Sequence, residues 1–234
     1  GLFWRVLAYI AVAHFVRQQV GWVSIYRARA GERDRAGRLF DHAVTSAATL
    51  YPLAYWHAHI PRGFRWFDDD DFVAWPGLER ALPLLLALEV GLLAAYAARE
   101  LWRFRERGFT SWGKHLVTGS TAALWYVGIV LTNDDFTFTV TNVLGHGVPY
   151  MVLLWTFVRA RGRERPGSFV ARIAAAGAVA FLVVVIAIAF AEEALWDRFV
   201  WHQGTWLFGG KASQIPLFSP LVRTLVAPLL AVPQ

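Results

Sequence analysis

The sequence predicts an all-α fold, a polytopic transmembrane bundle of six or seven spanning helices, on three observations. Of its 234 residues, 56% are hydrophobic and only 17% are charged, which is typical of a membrane protein rather than a soluble domain. Mainly apolar runs of roughly 20 residues, the length that crosses a bilayer as a helix, recur along the chain. The loops between these runs are alternately basic and acidic, as expected for loops on opposite sides of a membrane.

Seven apolar runs predict the spans of a single integral membrane domain covering residues 1–234. The first run is the most polar, the sixth is the most uniformly apolar, and three prolines interrupt the seventh. Proline is tolerated in a membrane helix where neighbouring groups satisfy the freed backbone carbonyls. The apolar pattern starts at Gly1 and the last run stops short at Gln234, so we expect both termini to be incomplete. The predicted spans are residues 2–24, 39–60, 81–98, 112–132, 136–158, 169–191 and 215–232.

Loop charges predict the orientation of these spans. Residues 27–38 and 159–172 each contain five arginines, and residues 99–114 contain four arginines and a lysine. An intervening loop instead carries four consecutive aspartates at 68–71. By the positive-inside rule, the three basic loops lie in the cytoplasm, as in an integral protein of the bacterial inner membrane. The arginines follow topology and are not massed on one face, so we expect no nucleic-acid partner.

Several classes of function lack support in the sequence. It contains no cysteine, which removes disulfides, iron–sulfur clusters, thiolate zinc sites and a cysteine nucleophile. Lys114 and Lys211, the two lysines, fall at predicted loop positions, whereas a retinal protein needs a lysine in its last span. The chain has no P-loop, no H-E-x-x-H and no G-x-S-x-G, so nothing favours an ATPase, a zinc protease of that type or a serine hydrolase.

The fifth predicted span carries a polar stripe, which is unusual for a helix that only faces lipid. Ionisable groups at membrane depth are costly and usually face the bundle interior or a polar cavity. Glycines flank His146 on both sides, which allows close approach of a helix or a ligand, and Pro149 frees a backbone carbonyl that a neighbour must satisfy. With helical steps of three and four, the stripe comprises Thr139, Asn142, His146 and Tyr150.

Polar residues of other spans are predicted at a similar depth. Along helices of 1.5 Å rise, His14 lies roughly 18 Å and His146 roughly 15 Å from the outer ends of their spans. His14 shares a helix face with Arg17 and Gln18, and Glu89 lies near the middle of the third span. Neutral imidazole suits iron, copper, zinc and haem. We therefore predict a cofactor held by His14 and His146, with Glu89, Arg17 and Gln18 as catalytic or orienting residues.

Three further histidines widen the set of candidate metal ligands. His42 begins the second span close to Asp41, and His57 and His59 stand near its outer end. The predicted metal ligands are therefore His14, His42, His57, His59 and His146. The alternative is that these groups only satisfy one another across helices, for example Arg17 with Glu89. Near His57 and His59, the loop acids are equally consistent with a hard cation such as Ca²⁺ or with simple solvation.

The leading functional hypothesis is a membrane-embedded oxidoreductase or oxygenase that uses histidine-ligated iron, copper or haem. A site at membrane depth favours a lipid-soluble substrate such as a quinone, a carotenoid or an acyl chain, which enters from the bilayer. One alternative is a transporter or channel with a proton or ion path through the same residues. Another is a non-catalytic subunit that contacts other membrane subunits. Whether the protein is an enzyme therefore stays open on the sequence alone.

Overall fold

The computed structural model describes residues 2–66, 71–197 and 207, and every regular element within these ranges is a helix. This confirms the all-α prediction for the described chain. A 3-10 turn at Pro76–Ala81 leads into the third helix, and π-helical segments continue or interrupt the later ones. The helices are α1 Leu2–Arg29, α2 Arg35–Ala58, α3 Leu82–Arg107, α4 Trp112–Trp125, α5 Asp135–Asn142, α6 Val148–Glu164, α7 Phe169–Ala176 and α8 Ala178–Trp196.

Three helices are long and apolar enough to cross a membrane. They are Pro76–Arg107 with 32 residues, Asp135–Glu164 with 30 and Ala178–Trp196 with 19. Few residues in their most apolar stretches are buried against the rest of the protein, so most of this apolar surface is left for lipid or for other protein. The predicted spans that correspond to α1, α2 and α4 are not among these three, so six or seven spans are not confirmed in the described chain.

The sixth predicted span, residues 169–191, is not one helix. The chain divides at Gly177 into α7 and α8, and Gly177 has a φ of 95°, which residues with a side chain rarely adopt. A run of apolar residues does not reveal such a break, because hydropathy carries no information about backbone conformation. The helix long and apolar enough to cross a membrane here starts at Ala178 and extends to Trp196. The seventh predicted span, residues 215–232, lies outside the described residues.

Residues 1–151 form the first of two compact units. In this unit α2 packs against α1, α3 and α4, and α1 also packs against α4. The middle of the buried face of α2 has small residues, including Val44, Ala48 and Thr49, which lets the neighbouring helices approach closely. At the other end of the unit, Trp56, Phe64, Phe72 and Phe138 form an aromatic cluster.

The second unit, residues 152–234, is described from 152 to 197 and at residue 207. Here α7 packs against α8. Gly162 near the end of α6 lies so close to α7 that an added Cβ would meet the Cβ of Ala174 at 3.0 Å. The rings of Trp155 and Phe181 are 5.3 Å apart, centroid to centroid. Small and aromatic residues thus give this unit its internal contacts.

Two π-helical segments alter the register that a regular helix would have. Tyr126–Leu131 follows α4, and Val143–Gly147 joins α5 to α6. A π turn contains about one residue more than an α turn and leaves carbonyls to be satisfied by other groups. Arg62 does this for the first segment, since its guanidinium donates to the carbonyl of Ile129 at 2.7 Å. The second π segment contains His146, so this segment is part of the candidate functional site.

Candidate functional site

His14 of α1 and His146 of the π segment face each other. Their ring centroids are 5.5 Å apart, and the rings are inclined at 75°. The structure thus brings together the two histidines whose predicted depths were similar. His146 is partly buried, whereas His14 is exposed, so the pair lies at the edge of the first unit and is open to a ligand from one side.

Aromatic rings hold the imidazole of His146 in place. Phe15 stacks on it with a centroid distance of 3.7 Å and an interplanar angle of 14°. Tyr150, one turn further along, is nearly parallel to it at 6.0 Å. Stacking on one face leaves the ring nitrogens at the edge of His146 as its reactive positions. The polar stripe predicted from helical spacing therefore contributes His146 and Tyr150 to a single local arrangement.

Two glutamines of α1 bind the backbone of the π segment. Pro149 has no N–H, so it cannot donate to the carbonyl of Gly145 four residues earlier. Gln19 takes over this role, because its Nε2 donates to the Gly145 carbonyl at 2.6 Å. Gln18 donates in the same way to the carbonyl of His146 at 3.3 Å. The prediction that Pro149 frees a carbonyl for a neighbour is confirmed, and these bonds fix α1 against the segment that carries His146.

Two buried polar atoms at this site have no hydrogen-bond partner within the part of the chain that the structure describes. They are Oε1 of Gln18 and Nδ1 of His146. Leaving a buried polar atom unpaired costs about 1–3 kcal/mol, so such atoms call for a ligand, an ion or water. The two residues are also joined by the bond from Nε2 of Gln18 to the backbone carbonyl of His146. The same small region therefore offers an acceptor and an imidazole nitrogen to an incoming group.

Arg17 lies one turn beyond His14 on α1 and is exposed. Among the described carboxylates none forms an ion pair with it, and the pairing of Arg17 with Glu89 considered from the sequence is not formed. A guanidinium at membrane depth is costly unless it meets water or an anion. Arg17 is therefore free to meet a polar group of a ligand that reaches the histidine pair.

Glu89 stands apart from the histidine pair. It lies on α3 and is only 4% exposed, and one of its carboxylate oxygens, Oε2, is buried with no hydrogen-bond partner among the described residues. No hydrogen bond or ring contact in the described chain joins Glu89 to His14 or His146. Its predicted catalytic role stays a prediction, and the structure does not place it at the same site.

The other three histidines have partners elsewhere. The Nε2 atom of His42 is 2.9 Å from the hydroxyl oxygen of Ser24. Within α2, Nδ1 of His57 is 2.6 Å from the Leu53 carbonyl and Nδ1 of His59 is 2.8 Å from the Tyr55 carbonyl. Across the described ranges, no three histidine, aspartate or glutamate side chains are grouped so that they could hold a metal ion. The structure therefore supports a pair of histidines as the candidate site, not a set of five.

The sequence reading missed several residues that the structure joins to the predicted ones. Phe15 and Gln19 are parts of the histidine site, and the Tyr9 hydroxyl lies 2.8 Å from Nε2 of His57. A partial signal existed for Gln19, because a second glutamine beside Gln18 is unusual in an apolar span. For Phe15 no signal was available, since an aromatic residue in a membrane helix is ordinary.

A larger omission is a buried charge network at the end of the first unit that carries the basic loops. The sequence predicts a loop position for Lys114, but Lys114 lies in the first turn of α4 and is 0% exposed. Its ammonium lies 2.9 Å from a carboxylate oxygen of Glu32 and 3.0 Å from one of Glu100, and Asp41 is 3.5 Å away. Arg27 binds Glu32 at 2.9 Å and also pairs with Asp41. The sequence feature that could have indicated this network is the presence of acidic residues inside otherwise basic segments.

At the rim of this network, Asp34 caps the first turn of α2. One of its carboxylate oxygens accepts from the Gly37 amide at 2.7 Å, and the other lies 3.1 Å from the guanidinium of Arg27. Partial burial acts to raise the pKa of Asp34, but the Gly37 amide and Arg27 outweigh it and hold that pKa below its usual value. Asp34 is therefore a carboxylate at neutral pH, and it fixes the start of α2 beside the network.

Comparison with protein-family models, with curated proteins and with solved structures finds no match for this chain. The functional argument therefore depends on the chemistry and geometry of the site.

Proposed function

We propose that the chain is an integral membrane protein, a single domain of six or seven spanning helices with residues 27–38, 99–114 and 159–172 in the cytoplasm. Three apolar helices of membrane-crossing length support insertion. The alternation of basic and acidic loops supports the orientation. A bacterial inner membrane is the setting in which this charge pattern is expected.

Within this setting, we infer that the protein is a membrane-embedded oxidoreductase or oxygenase that acts on a lipid-soluble substrate at the His14–His146 pair. One observation carries this proposal: two histidines from separate segments face each other beside two buried polar atoms that have no partner in the described part of the chain. A purely structural pair would be expected to satisfy its polar atoms within the protein. The unmet atoms instead favour a bound metal and a substrate with a polar group.

The spacing of the rings suits a shared cofactor. The ring centroids of His14 and His146 are 5.5 Å apart, a separation that two imidazoles bound to one metal centre through bonds of about 2 Å could span. Iron or copper would suit such imidazole ligands, and haem is the alternative cofactor. Two histidines would leave coordination positions for water or substrate.

The residues around the pair have distinct roles in this proposal. A bound transition metal would supply the redox chemistry. Gln18 fixes the backbone of His146 and offers its free Oε1 to a hydroxyl or amide of the substrate. Arg17, exposed one turn from His14, orients a polar or anionic end of the substrate. Phe15 closes one face of His146 and so directs the ligand to the edge of the ring.

The test is metal content and the visible spectrum of the detergent-purified protein, with three single variants. Wild type is expected to contain close to one iron or copper per chain, and His14→Ala and His146→Ala are expected to lose most of it. His59→Ala is the matched control, because that ring bonds within its own helix and should leave metal content unchanged. Circular dichroism checks that each variant is folded. Wild type that neither contains nor takes up a metal would contradict the proposal, as would full metal retention in His146→Ala.

One observation favours a second candidate function, a proton-coupled transporter. Glu89 lies inside an apolar helix with one buried carboxylate oxygen unpartnered, and such groups often take part in proton transfer across membranes. This alternative predicts pH-dependent flux in proteoliposomes that Glu89→Gln abolishes and that His146→Ala leaves largely intact. Metal-free protein with such a flux would favour transport, whereas metal-containing protein without flux would favour the oxidoreductase.

A further inference from the structure

A second site lies away from the histidine pair, at the end of the first unit that carries the basic loops. A cavity of about 630 Å³ opens between the turn that joins α1 to α2 and the last turns of α3. Gly31 forms the turn with a φ of 72°, and the rings of Phe40 and Trp102 form the aromatic part of the cavity wall. The cavity is far larger than one water molecule and is lined by four arginines and three carboxylates.

The inner wall of this cavity is fixed by the buried charge network. Arg103 lies 3.0 Å from a carboxylate oxygen of Glu32 and 3.5 Å from one of Glu100. Arg99 binds Glu100 at 2.6 Å and packs over the ring of Phe40 at 4.6 Å. These arginines are neutralised by the protein's own carboxylates, so they shape the wall and contribute little net charge. Behind them, Lys114 is completely buried and makes the wall rigid.

The outer rim carries the charge that remains free. Arg33 and Arg107 line the cavity and are exposed, and neither forms an ion pair within the part of the chain that the structure describes. The rim also contains one unpaired carboxylate, that of Glu106. Two free guanidinium groups against one carboxylate leave a net positive rim above a neutral wall. Guanidinium groups recognise phosphate through paired hydrogen bonds.

We propose that this cavity binds the phosphate of an anionic phospholipid headgroup, with Arg33 and Arg107 as its ligands. Its position identifies the lipid as the source of the phosphate. The cavity lies where α3, an apolar helix of membrane-crossing length, ends in basic residues, and in the proposed orientation that is the level of the headgroups in the cytoplasmic leaflet. Basic pockets between helices on this side are suited to anionic headgroups. Trp102 is 61% exposed beside it, as an interfacial tryptophan is.

The aromatic wall explains why a lipid is favoured over a free phosphate ion. Phe40 and exposed Trp102 offer apolar surface next to the rim, which suits the glycerol and first methylenes of an acyl chain. A free ion would gain nothing from that surface. This inference rests on the proposed membrane insertion and orientation, but it does not depend on the function of the histidine pair, so the lipid site and the redox site can fail separately.

The experiment measures lipid retention by native mass spectrometry of the full chain, released from nanodiscs of equal phosphatidylglycerol and phosphatidylcholine. Wild type is expected to retain phosphatidylglycerol preferentially. The double variant Arg33→Gln/Arg107→Gln should lower that preference by about tenfold or more, because two charge-assisted contacts are lost. Arg163→Gln/Arg165→Gln is the matched control: it removes the same charge from another basic loop and should retain the preference. Equal loss in both double variants would show general attraction to an anionic surface and would overturn the site.

Two further measurements keep the proposal decisive. Arg33→Lys/Arg107→Lys preserves charge but not the paired geometry, and it should restore only part of the preference. Inorganic phosphate at millimolar concentration should fail to displace the bound lipid from wild type. Complete displacement by inorganic phosphate would overturn the lipid assignment, as would equal retention of both lipids by folded wild type.

Discussion

The bond between Gln19 and the Gly145 carbonyl offers the sharpest test of how the histidine site is held. Gln19→Leu keeps approximately the volume of the side chain but removes its amide donor. Gln19 is 5% exposed, so water does not readily replace the lost bond. The Gly145 carbonyl has no alternative donor from residue 149, because that residue is proline. The substitution therefore removes the side-chain donor of a partly buried carbonyl.

The expected loss of stability follows from the geometry of this bond. The N···O distance is 2.6 Å, which is short for a neutral hydrogen bond. Hydrogen bonds between membrane helices contribute about 0.6–2 kcal/mol, and an orphaned buried carbonyl costs about 1–3 kcal/mol. We expect Gln19→Leu to lower the free energy of unfolding by about 1–3 kcal/mol. Adding Pro149→Ala returns an N–H four residues after Gly145 and should recover about 1 kcal/mol.

The assay is stepwise unfolding of the detergent-solubilised protein in SDS, followed by circular dichroism. Four proteins complete the cycle: wild type, Gln19→Leu, Pro149→Ala and the double variant. A coupling free energy of at least about 0.5 kcal/mol is expected, with the double variant more stable than Gln19→Leu. Strictly additive effects would refute the reasoning, since they would mean that Gln19 and Pro149 do not share the Gly145 carbonyl.

The same unfolding assay checks two predictions about close contacts and buried charge. Gly128→Ala should lower the free energy of unfolding by about 1–3 kcal/mol, because the new Cβ would lie 2.2 Å from the hydroxyl oxygen of Thr141. Gly119→Ala is the control and should not lower it, because nothing lies within 4 Å of its new Cβ. Equal effects of the two substitutions would contradict the packing at Gly128. Lys114→Met should cost about 3–5 kcal/mol, because three carboxylates lose their shared buried cation. Arg165→Gln, which removes an exposed charge, is the control, and a stable Lys114→Met would show that the network is dispensable.

Much of the helical framework could be predicted from the sequence because it depends on local properties. An apolar run, a Ser or Asp cap and a basic loop are each written in consecutive residues, and Asp34 and Ser168 do cap helices. The meeting of His14 and His146 was also accessible, since helix rise alone sets their depths. The freed carbonyl before Pro149 follows from the missing N–H of proline, whatever the tertiary structure.

The remaining features depend on how distant segments meet, and no local pattern encodes that. Lys114 and Glu32 are 82 positions apart, and their ion pair exists only because α1 and α4 pack together. Glu89 was grouped with the histidines by depth, but depth does not fix which side of a helix faces which neighbour. The break at Gly177 and the π segment around His146 escaped prediction because helical spacing was assumed to be uniform.

The π segment at Val143–Gly147 also makes the position of His146 sensitive to chain length. A π turn is equivalent to one residue inserted into an α-helix. Deleting one residue there would restore a regular helix and rotate everything after it by about 100° relative to what precedes it. In evolutionary terms, the segment acts as a one-residue insertion, so a relative without it would carry the same amino acids on a different helix face. Gene comparison across such a family would show a single-codon gap next to the imidazole, and the gap would separate proteins that keep the histidine pair from those that cannot form it.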